Sequence, residues 1–463
     1  MNQRILIEVV QHFLNILSFF LGIYLITEVI RDRKNPGSTW GWLLIMVLIP
    51  YLGVPLYLTL GRRKLKIKAT QKSSLYKPIA YDDTPTELSS LERLLLSSGG
   101  PKKNSTNKIE TLLSGETTYK KMIHVLQNAK KSIWITTFIL GNDSVGSEIL
   151  QILTQQAQNG VHVCLLLDGL GSFWVPRLKL WKLKKAGGKI SFFLPLIHIP
   201  FFGHSNLRNH RKLMIVDEKI ALLGGMNLAE EYLGTNPDPK RWIDLSFSIE
   251  GEGVSDLSTI FSSDWKFASK SKLHRIVPIL HQPSGSSSLQ IVGSGPDVSG
   301  DPLYDSILYS IFSAQHRIWM ATPYFIPDDT LAKALEIACR RGVDVRLIVP
   351  KKSNHLFADL CRGSYLRQLE LAGGHIYFDL HTMMHAKVTL IDDNYAVVGS
   401  ANMDMRSLLL NYEVGLFLYS QDDIQTISHW FLKLQHLAYR ENLKRNFSTD
   451  FLDGLGRILG PML

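Results

Sequence analysis

One five-residue pattern occurs twice in the chain, and its residue types suit chemistry at phosphorus. The pattern is H-x-K-x₄-D-x₆-G-x-x-N, and every internal spacing is shared by the two copies. The first copy comprises His210, Lys212, Asp217, Gly224 and Asn227, and the second comprises His385, Lys387, Asp392, Gly399 and Asn402. Ordinary residue frequencies give a single copy in roughly one such chain in ten thousand. Two matched copies therefore predict one active site built from two equivalent halves.

The imidazole, ammonium and amide of each copy suit a phosphodiester substrate. We expect the Lys and Asn side chains to hold the non-bridging oxygens, while a His attacks phosphorus or protonates the leaving group. Two lysines and two imidazoles can supply the positive charge that Mg²⁺ gives in nucleotide-dependent phosphoryl transfer, so we expect neither a metal nor a cofactor. The candidate catalytic residues are His210, Lys212, Asp217, His385, Lys387 and Asp392, with Asn227 and Asn402 in support.

The two Asp residues of the pattern are better suited to structure than to substrate contact. Asp217 and Asp392 stand five residues after the Lys of their copy, at the predicted end of a strand. At such a position a carboxylate more often fixes the turn or pairs with a basic neighbour. We therefore expect them to support the site from a distance.

A nucleophilic imidazole needs a carboxylate on its second nitrogen, which fixes the tautomer and raises basicity. Two acidic residues follow the two motifs in matching contexts. They are Asp244, in the tetrapeptide R-W-I-D, and Glu413, in the tripeptide N-Y-E. We predict that each carboxylate serves one of the two histidines. The spacing leaves open whether it serves the His of its own half or of the opposite half.

Each motif must be positioned by a strand, a turn and a returning strand. The apolar runs Leu213–Val216 and Val388–Ile391 predict buried strands, and Lys219–Leu223 and Tyr395–Val398 predict the return strands. Residues two apart on a strand share a face, so the His and Lys of each motif would point the same way. The return strand brings the Asn of each motif back to the same end.

The rest of the chain repeats itself as well. Segments beginning at Lys131, Gly160 and Ala186 resemble segments beginning at His316, Gly342 and Ala372. Short apolar strands alternate with helical stretches such as 118–128 and 331–341. This pattern predicts an α/β fold with two similar halves, 107–282 and 289–463, each a sheet flanked by helices. The Ser- and Gly-rich segment 283–288 is the predicted boundary between them.

The first half carries an insertion that the second half does not have. Gly188 and His210 are 22 residues apart, whereas the equivalent Gly374 and His385 are 11 apart. The additional residues include the apolar stretch Phe192–Phe202. Two interpretations are equally favoured: a buried extra strand, or an exposed lip that enters the membrane interface or holds an acyl chain.

The N-terminal part of the chain has the character of a membrane anchor. Thr39–Leu60 contains no charged residue over 22 positions, and Val9–Ile26 is a weaker second candidate that we favour as an uncleaved anchor over a signal peptide. We therefore predict a two-helix transmembrane anchor over 1–68, followed by a linker or partly ordered strap over 69–106. More Lys and Arg residues follow the second span than the first, which predicts a cell-membrane protein whose catalytic part is cytoplasmic. The net charge of +10 favours an acidic partner.

These residues resemble the phospholipase D superfamily, whose signature is this duplicated motif, and the resemblance covers roughly residues 107–463. Within it the chain is most similar to the bacterial cardiolipin synthase branch, because two apolar segments precede the motifs and the second copy continues as Asn402-x-Asp404-x-Arg406-Ser407. That resemblance implies a phosphatidyltransferase acting on phosphatidylglycerol at the bilayer to give cardiolipin through a phosphatidyl-histidine. By the same analogy His210 is the nucleophile and His385 the acid and base.

Two other functions fit parts of the sequence. The first is hydrolysis, by a phospholipase D or a nuclease of the same superfamily; the apolar N-terminal segments favour lipid and disfavour nucleic acid. The second is a catalytically inactive membrane protein that binds anionic lipid. Two complete motifs disfavour that function, because a binding protein needs no matched nucleophile and acid.

Overall fold

The computed structural model describes residues 72–79, 88–195, 207–273, 284–380, 382–441 and 443, together with parts of 11–57. The elements up to the end of the first half are α1 (Pro36–Leu48), α2 (Ser90–Ser97), β1 (Asn104–Leu112), α3 (Gly115–Gln127), β2 (Ser132–Thr137), α4 (Ser144–Gln158), β3 (His162–Asp168), α5 (Arg177–Lys185), β4 (Lys189–Phe193), β5 (Leu213–Val216), β6 (Ile220–Gly224), β7 (Ser246–Glu250) and α6 (Gly253–Ser269). Those of the second half are β8 (Ser287–Ser294), α7 (Pro302–Ser313), β9 (Arg317–Ala321), β10 (Phe325–Ile326), α8 (Asp329–Arg340), β11 (Asp344–Pro350), α9 (Leu356–Leu371), β12 (His375–Asp379), β13 (Val388–Ile391), β14 (Tyr395–Gly399), β15 (Met403–Asp404), α10 (Met405–Leu409), β16 (Glu413–Leu418) and α11 (Gln421–Leu437).

The chain divides into two compact units. The smaller comprises Met1–Lys68 with Ile197–Asn206, and the larger comprises Ala69–Leu196 with Leu207–Leu463. In the smaller unit, the described residues include α1 and a small apolar cluster of Leu25, Val29, Met46 and Tyr57. The spans predicted at 9–26 and 39–60 fall partly on residues outside the description. Among the described residues, none of the helices combines the length and the apolar character that crossing a bilayer requires.

The larger unit is organised around one 14-stranded sheet. Equivalent strands of the two halves follow the same order when the sheet is read inward from its two edges. The order is β12-β11-β9-β13-β14-β16-β8-β1-β7-β6-β5-β2-β3-β4. Strand β1 is therefore the counterpart of β8, β5 the counterpart of β13, and β4 the counterpart of β12. The two halves join where β1 runs antiparallel to β8, with Asn104 opposite Leu289. The prediction of two similar α/β halves is confirmed.

Within each half the sequence explains which strands are parallel. Strands β2, β3 and β4 pair in parallel, and β2 and β3 are connected by α4, as β9 and β11 are connected by α8. A parallel connection needs such a crossover, and it buries both faces of the strand. The strand Ser132–Thr137 is accordingly buried at every position. Strands β5, β6, β7 and β1 then run antiparallel to their neighbours, and a short turn connects β5 to β6.

The predicted motif strands are confirmed, and so are their returns to within one residue. Strands β5 and β13 have the predicted bounds, and the register pairs Leu213 with Leu223 and Val388 with Val398. Both turns need a residue with positive φ, and Asp217 (φ 55°) and Asp392 (φ 49°) adopt it. Short polar side chains tolerate this backbone better than branched ones do.

The predicted linker 69–106 contains more regular structure than its composition indicates. Helix α2 begins after Ser89, whose side chain accepts from the Glu92 N–H in a reciprocal capping box. Strand β1 begins at Asn104, so the boundary drawn at 106 cuts through a strand of the catalytic sheet. The Ser- and Lys-rich composition gave no indication of α2, whose apolar side packs in the core through Leu91 and Leu95.

The apolar stretch Phe192–Phe202 begins as core, not as a lip. Phe192 and Phe193 end strand β4, which pairs in parallel with β3 and is the counterpart of β12. Phe193 is fully buried, with its ring 4.9 Å from that of Tyr412. Strand β4 is thus not an extra strand, since both halves have it. Residues 196–202 lie outside the described part of the chain.

Candidate active site

Backbone hydrogen bonds join the two halves next to their functional side chains. The His210 N–H donates to the Tyr412 carbonyl at 2.9 Å, and the Tyr412 N–H donates to the Arg208 carbonyl at 2.9 Å. In the equivalent place, the His385 N–H donates to the Ile243 carbonyl at 2.7 Å. Each pair of hydrogen bonds forms a parallel bridge between the halves. The bridges set each motif His beside the acidic residue of the opposite half.

His210 is paired with Glu413. Its Nδ1 lies 3.0 Å from Oε1 and 3.2 Å from Oε2 of that carboxylate. The ring of Phe138 meets the imidazole edge to face, with centroids 5.2 Å apart. The carboxylate accepts Nδ1–H, so the unprotonated nitrogen is Nε2. The His210 side chain keeps 14% of its surface exposed, whereas the Glu413 side chain is fully buried.

His385 is paired with Asp244 and is more enclosed. Its Nδ1 lies 2.7 Å from Oδ2 of Asp244, and its side chain is only 5% exposed. The rings of Tyr232 and Trp242 pack around it at centroid distances of 5.0 and 5.4 Å. The Tyr232 hydroxyl stands 3.5 Å from Nε2. The question that the spacing left open is therefore answered by the geometry, since both carboxylates come from the opposite half.

The two motif lysines fold back onto their own histidines. The Lys212 ammonium donates to the His210 carbonyl at 2.7 Å. The Lys387 ammonium lies 2.6 Å from Nδ1 of His385 and 3.7 Å from Oδ2 of Asp244. Both lysines are buried. This places two cations within one water-poor volume, where they act strongly on any anion that enters.

The charged groups of both motifs shift the pKa values of the two motif histidines. Burial lowers the pKa of His210, as does the Lys387 charge, while the Glu413 carboxylate opposes them. Burial lowers the pKa of His385 well below its usual value, and the charges of Lys387 and Lys212 lower it further. Both imidazoles are therefore neutral at neutral pH before an anion binds. The lysine of each half thus lowers the pKa of the histidine of the other half.

The pKa values of Asp244 and Lys387, which both lie beside His385, are shifted in opposite directions. Burial raises the pKa of Asp244 to about 6, against the opposing charge of Lys387. Burial lowers the pKa of Lys387 to about 8, and the Asp244 charge opposes that shift. For Lys212, burial lowers the pKa well below its usual value. The pKa values of Asp244 and Lys387 thus lie near neutral pH, which is typical of groups that handle protons or anions in enzymes.

The motif Asp residues lie at the opposite end of their strands from the histidines. Asp217 accepts the N–H groups of Lys130, Lys131 and Ser132, and Asp392 accepts those of Gln315, His316 and Arg317. In each half the carboxylate binds the backbone at the start of the adjacent strand, β2 or β9, which runs antiparallel to the motif strand. These contacts agree with the expectation that the two residues fix a turn, and they explain why the motif needs an Asp there.

The motif Asn residues make contacts that hold other site residues. The Asn227 amide donates to the Tyr232 hydroxyl at 3.0 Å, and its carbonyl accepts the Ile139 N–H at 3.2 Å. The Asn402 amide donates to the Ser407 hydroxyl at 3.3 Å. Asn227 thereby fixes the tyrosine that faces His385. Direct contact of either Asn with phosphate stays a prediction.

The two halves differ in how they seat their carboxylates. In the second half the Ser400 hydroxyl donates to Oε2 of Glu413. The equivalent residue of the first half is Gly225, where a Cβ atom would overlap the Asp244 carboxylate. The shorter Asp approaches the bare glycine backbone, while the longer Glu is held by a serine hydroxyl. The first half thus makes room for its carboxylate by having no side chain at residue 225. The second half instead holds its carboxylate with a hydrogen bond from Ser400.

A buried charge cluster behind His210 was not predicted from the sequence. Arg211, the variable residue of the first motif, donates to both oxygens of Asp264 at 2.7 and 2.8 Å and to the Glu413 carbonyl at 3.0 Å. Lys72 reaches the same Asp264 at 2.6 Å and also pairs with Asp297. Two cations thus balance two carboxylates inside the core. Lys72 lies in a segment of ordinary polar composition, which carried no signal of this role.

Comparison with known proteins gives relatives over nearly the whole chain. Residues 122–265 and 307–435 match the family described as "Cardiolipin synthase, PLD-like domain", and residues 20–62 match "Phospholipase_D-nuclease N-terminal". The major cardiolipin synthase ClsA of Bacillus subtilis is 32% identical over 473 residues, which cover 96% of this chain and 98% of that protein. A cardiolipin synthase of Clostridium perfringens is 31% identical, over 93% of this chain and 95% of that protein.

Solved structures share the fold at low sequence identity. The crystal structure of phosphatidylserine synthase from Haemophilus influenzae has a TM-score of 0.60 and 18% identity, covering 77% of this chain and 95% of that one. Polyphosphate kinase from Porphyromonas gingivalis has a TM-score of 0.50 and 14% identity, covering 82% of this chain and 56% of that one. Such likeness concerns the fold alone.

Proposed function

This chain belongs to the cardiolipin synthase family of phospholipase D-like proteins, and from that membership we propose that it transfers a phosphatidyl group between two phosphatidylglycerol molecules. The products are cardiolipin and glycerol. The observation that carries the proposal is the pair of cross-half contacts, His210 with Glu413 and His385 with Asp244. They supply two imidazoles, each with a carboxylate, at one volume that two lysines make positive.

In the first step His210 is the nucleophile. Its Nε2 attacks the phosphorus of one phosphatidylglycerol while the bond from phosphorus to the head-group glycerol oxygen breaks. Binding of the anionic phosphate raises the pKa of His385, which then carries the proton that it gives to the departing glycerol oxygen. The result is a phosphatidyl-histidine and free glycerol. Lys212 and Lys387 hold the non-bridging oxygens as negative charge develops on them.

In the second step the same groups work in reverse. His385, now neutral, takes the proton of a hydroxyl on the head group of a second phosphatidylglycerol. That oxygen attacks phosphorus, and the bond from phosphorus to Nε2 of His210 breaks. Cardiolipin leaves, and His385 regains its proton for the next cycle. Asp244 steadies the imidazolium in both steps, and Glu413 holds His210 with Nε2 free.

Exposure supports this division of roles. The His210 side chain is 14% exposed, against 5% for His385. A nucleophile must reach phosphorus directly, whereas a proton donor and acceptor needs only one edge of its ring. The enclosing rings of Tyr232 and Trp242 also restrict His385 more than Phe138 restricts His210.

Hydrolysis is the second candidate function, because it differs only in the acceptor of the second step. Water in place of the second phosphatidylglycerol would give phosphatidic acid. A non-catalytic lipid-binding protein is the third candidate. The buried carboxylate on each imidazole disfavours it, since phosphate binding alone needs no such orientation.

We also propose that the chain is held at the cell membrane by two spans within 1–68, with the catalytic halves 107–282 and 289–463 in the cytoplasm. The charge bias after the second apolar segment supports this orientation. The match of residues 20–62 to an N-terminal family of phospholipase D-like proteins accords with it. A phosphatase reporter fused after Leu463 tests it, because reporter activity outside the cell would contradict a cytoplasmic C-terminus.

One experiment separates the three functions. The purified full chain is incubated with phosphatidylglycerol as the sole lipid, and the products are separated and weighed by mass spectrometry. Cardiolipin with stoichiometric glycerol supports the transferase. Phosphatidic acid as the main product identifies a hydrolase. Unchanged phosphatidylglycerol, with His210→Ala behaving like the unaltered chain, identifies a binding protein.

A further inference from the structure

Large apolar side chains are exposed at two equivalent places in the catalytic unit. In the first half they are Phe173, Trp174, Leu178 and Trp181, which follow β3 and enter α5; Trp174 is 83% exposed. In the second half they are Leu356, Phe357 and Leu360, which follow β11 at the start of α9; Phe357 is 63% exposed. Leu178 and Trp181 are three apart on α5, and Leu356 and Leu360 are four apart on α9, so each pair shares one side of its helix. Phe173 and Trp174 lie in the turn that leads into α5, and each set is therefore a local apolar patch.

Both patches adjoin the active site. The Ser172 hydroxyl donates to the Phe138 carbonyl at 2.9 Å, and the ring of Phe138 contacts His210. In the second half His355 directly precedes α9 and lies near enough to His385 that a positive charge on His355 would lower the pKa of His385. The loops leave the sheet at the carboxyl ends of β3 and β11. Strand β5 begins at that same edge, because Leu213 pairs with Thr136 near the end of β2.

Charge around the first patch selects the kind of partner. Between Gly169 and Pro195 the sequence has six Lys or Arg residues and no Asp or Glu. Lys182, Lys184 and Lys185 are exposed on α5 beside Trp181. Aromatic side chains together with lysines suit the interface of an anionic bilayer, where rings enter the head-group layer and ammonium groups meet phosphates.

We propose that these two patches form one membrane-docking rim, comprising Phe173, Trp174, Leu178 and Trp181 with Leu356, Phe357 and Leu360. The rim inserts into a bilayer that contains anionic phospholipid and opens the active site towards it. A phosphatidylglycerol head group then reaches His210 while its acyl chains stay in the membrane. The inference rests on the proposed function for its substrate, but docking itself is measured without turnover.

The test places an environment-sensitive fluorophore on one introduced cysteine at a time in the full chain with Cys339→Ser, whose other cysteines, Cys164 and Cys361, are buried. The labelled chain is reconstituted into equimolar phosphatidylglycerol and phosphatidylcholine vesicles. Trp174→Cys and Phe357→Cys report on the rim. Leu371→Cys is the matched control, because it is 78% exposed but lies at the other end of α9, about 22 Å from Leu356. We expect nitroxide-labelled lipids to quench the two rim labels several-fold more than the control. Equal quenching at all three positions would overturn the rim.

A charge variant tests the choice of partner. We expect quenching at residue 174 to fall several-fold when Lys182→Glu, Lys184→Glu and Lys185→Glu are combined. The labelled chain that keeps its three lysines should show the same loss in vesicles of phosphatidylcholine alone. Turnover of long-chain phosphatidylglycerol in vesicles should fall, while turnover of a dispersed short-chain analogue should not. Unchanged quenching and unchanged vesicle turnover in the charge variant would contradict an electrostatic rim.

The outcomes separate the rim from the reaction. Rim labels that are quenched in a chain that never forms cardiolipin from either substrate would refute the transferase and leave the rim standing. A chain that makes cardiolipin while its rim labels stay unquenched would refute the rim alone.

Discussion

His210 and Glu413 are 203 residues apart in the chain, yet Nδ1 of the imidazole and Oε1 of the carboxylate are 3.0 Å apart. The same exchange joins His385 to Asp244 across 141 residues. Both contacts follow from the two backbone bridges between the halves, at Asn209 with Tyr412 and at Ile243 with Met384. Each half therefore supplies one histidine and the carboxylate that orients the other.

The different seating of the two carboxylates predicts different tolerance of alanine at equivalent positions. At Gly225 an added methyl group overlaps the Asp244 carboxylate, so Gly225→Ala should displace it and reduce kcat by roughly 10²-fold or more. Ser400→Ala removes one hydrogen bond from Glu413 and should cost about tenfold or less. Steady-state kinetics of the two folded variants decide the matter. Equal losses would mean that the contact at Gly225 has no catalytic consequence.

The two histidines should be required in different steps. His210→Ala should abolish any covalent lipid adduct, because the attacking nitrogen is gone. His385→Ala should slow turnover severely but still form an adduct from a substrate whose leaving group needs no proton. Brief reaction with labelled phosphatidylglycerol, followed by alkaline denaturation, preserves a phosphohistidine for detection. An adduct that persists in His210→Ala and is absent in His385→Ala would reverse the assignment.

The pH dependence of activity should have a maximum between about 6 and about 8. Below a pKa of about 6, Asp244 becomes neutral and no longer steadies the imidazolium of His385. Above a pKa of about 8, Lys387 loses the charge that holds phosphate. The Lys387→Arg variant keeps its charge at high pH. The alkaline fall in its activity should therefore occur at a higher pH, even though its maximal rate is lower. A variant whose alkaline limb does not move would show that another group controls it.

The motif lysines should supply the charge stabilisation of the reaction. Lys212→Met or Lys387→Met should each cost about 2–4 kcal/mol of transition-state stabilisation, as the loss of an oxyanion donor does elsewhere. The value of kcat/KM, measured with excess chelator and without it, gives both comparisons in one set of assays. We expect the chelator to change neither the unaltered chain nor the variants. Inactivation by EDTA that Mg²⁺ or Mn²⁺ restores would contradict this account of the charge.

Lys72 should matter to stability far more than a lysine in a surface pair. Lys72→Met leaves Asp264 and Asp297 to share Arg211 inside the core and should cost about 3–5 kcal/mol of unfolding free energy. Lys108→Met breaks an exposed pair with Glu250, 3.7 Å apart, and should cost less than about 1 kcal/mol. Denaturant unfolding of the two variants measures the difference. Similar midpoints would show that the buried cluster tolerates the loss.

The sequence was most informative where structure follows from local pattern. Strands β5 and β13 keep the bounds that their apolar runs predicted, because short alternation and a turn residue suffice to determine them. The partners of Asp244 and Glu413 could not be read from spacing, because they depend on a bridge between distant segments. Phe193 shows a different limit: a run of apolar residues has the same composition in a buried strand and in an exposed lip. Lys72 was missed because a buried ion pair leaves no periodic trace.

The exchange of carboxylates also determines when the protein becomes reactive during its synthesis. Ribosomes add about 5–20 residues per second, so His210 emerges roughly 10–40 s before Glu413 can reach it. During that interval His210 lacks the carboxylate that orients it, and Asp244 lacks its histidine. The contact closes a loop of 203 residues, and closing a loop of that length carries a large entropic cost. A nascent chain therefore has neither of its two histidine–carboxylate pairs until its second half has folded.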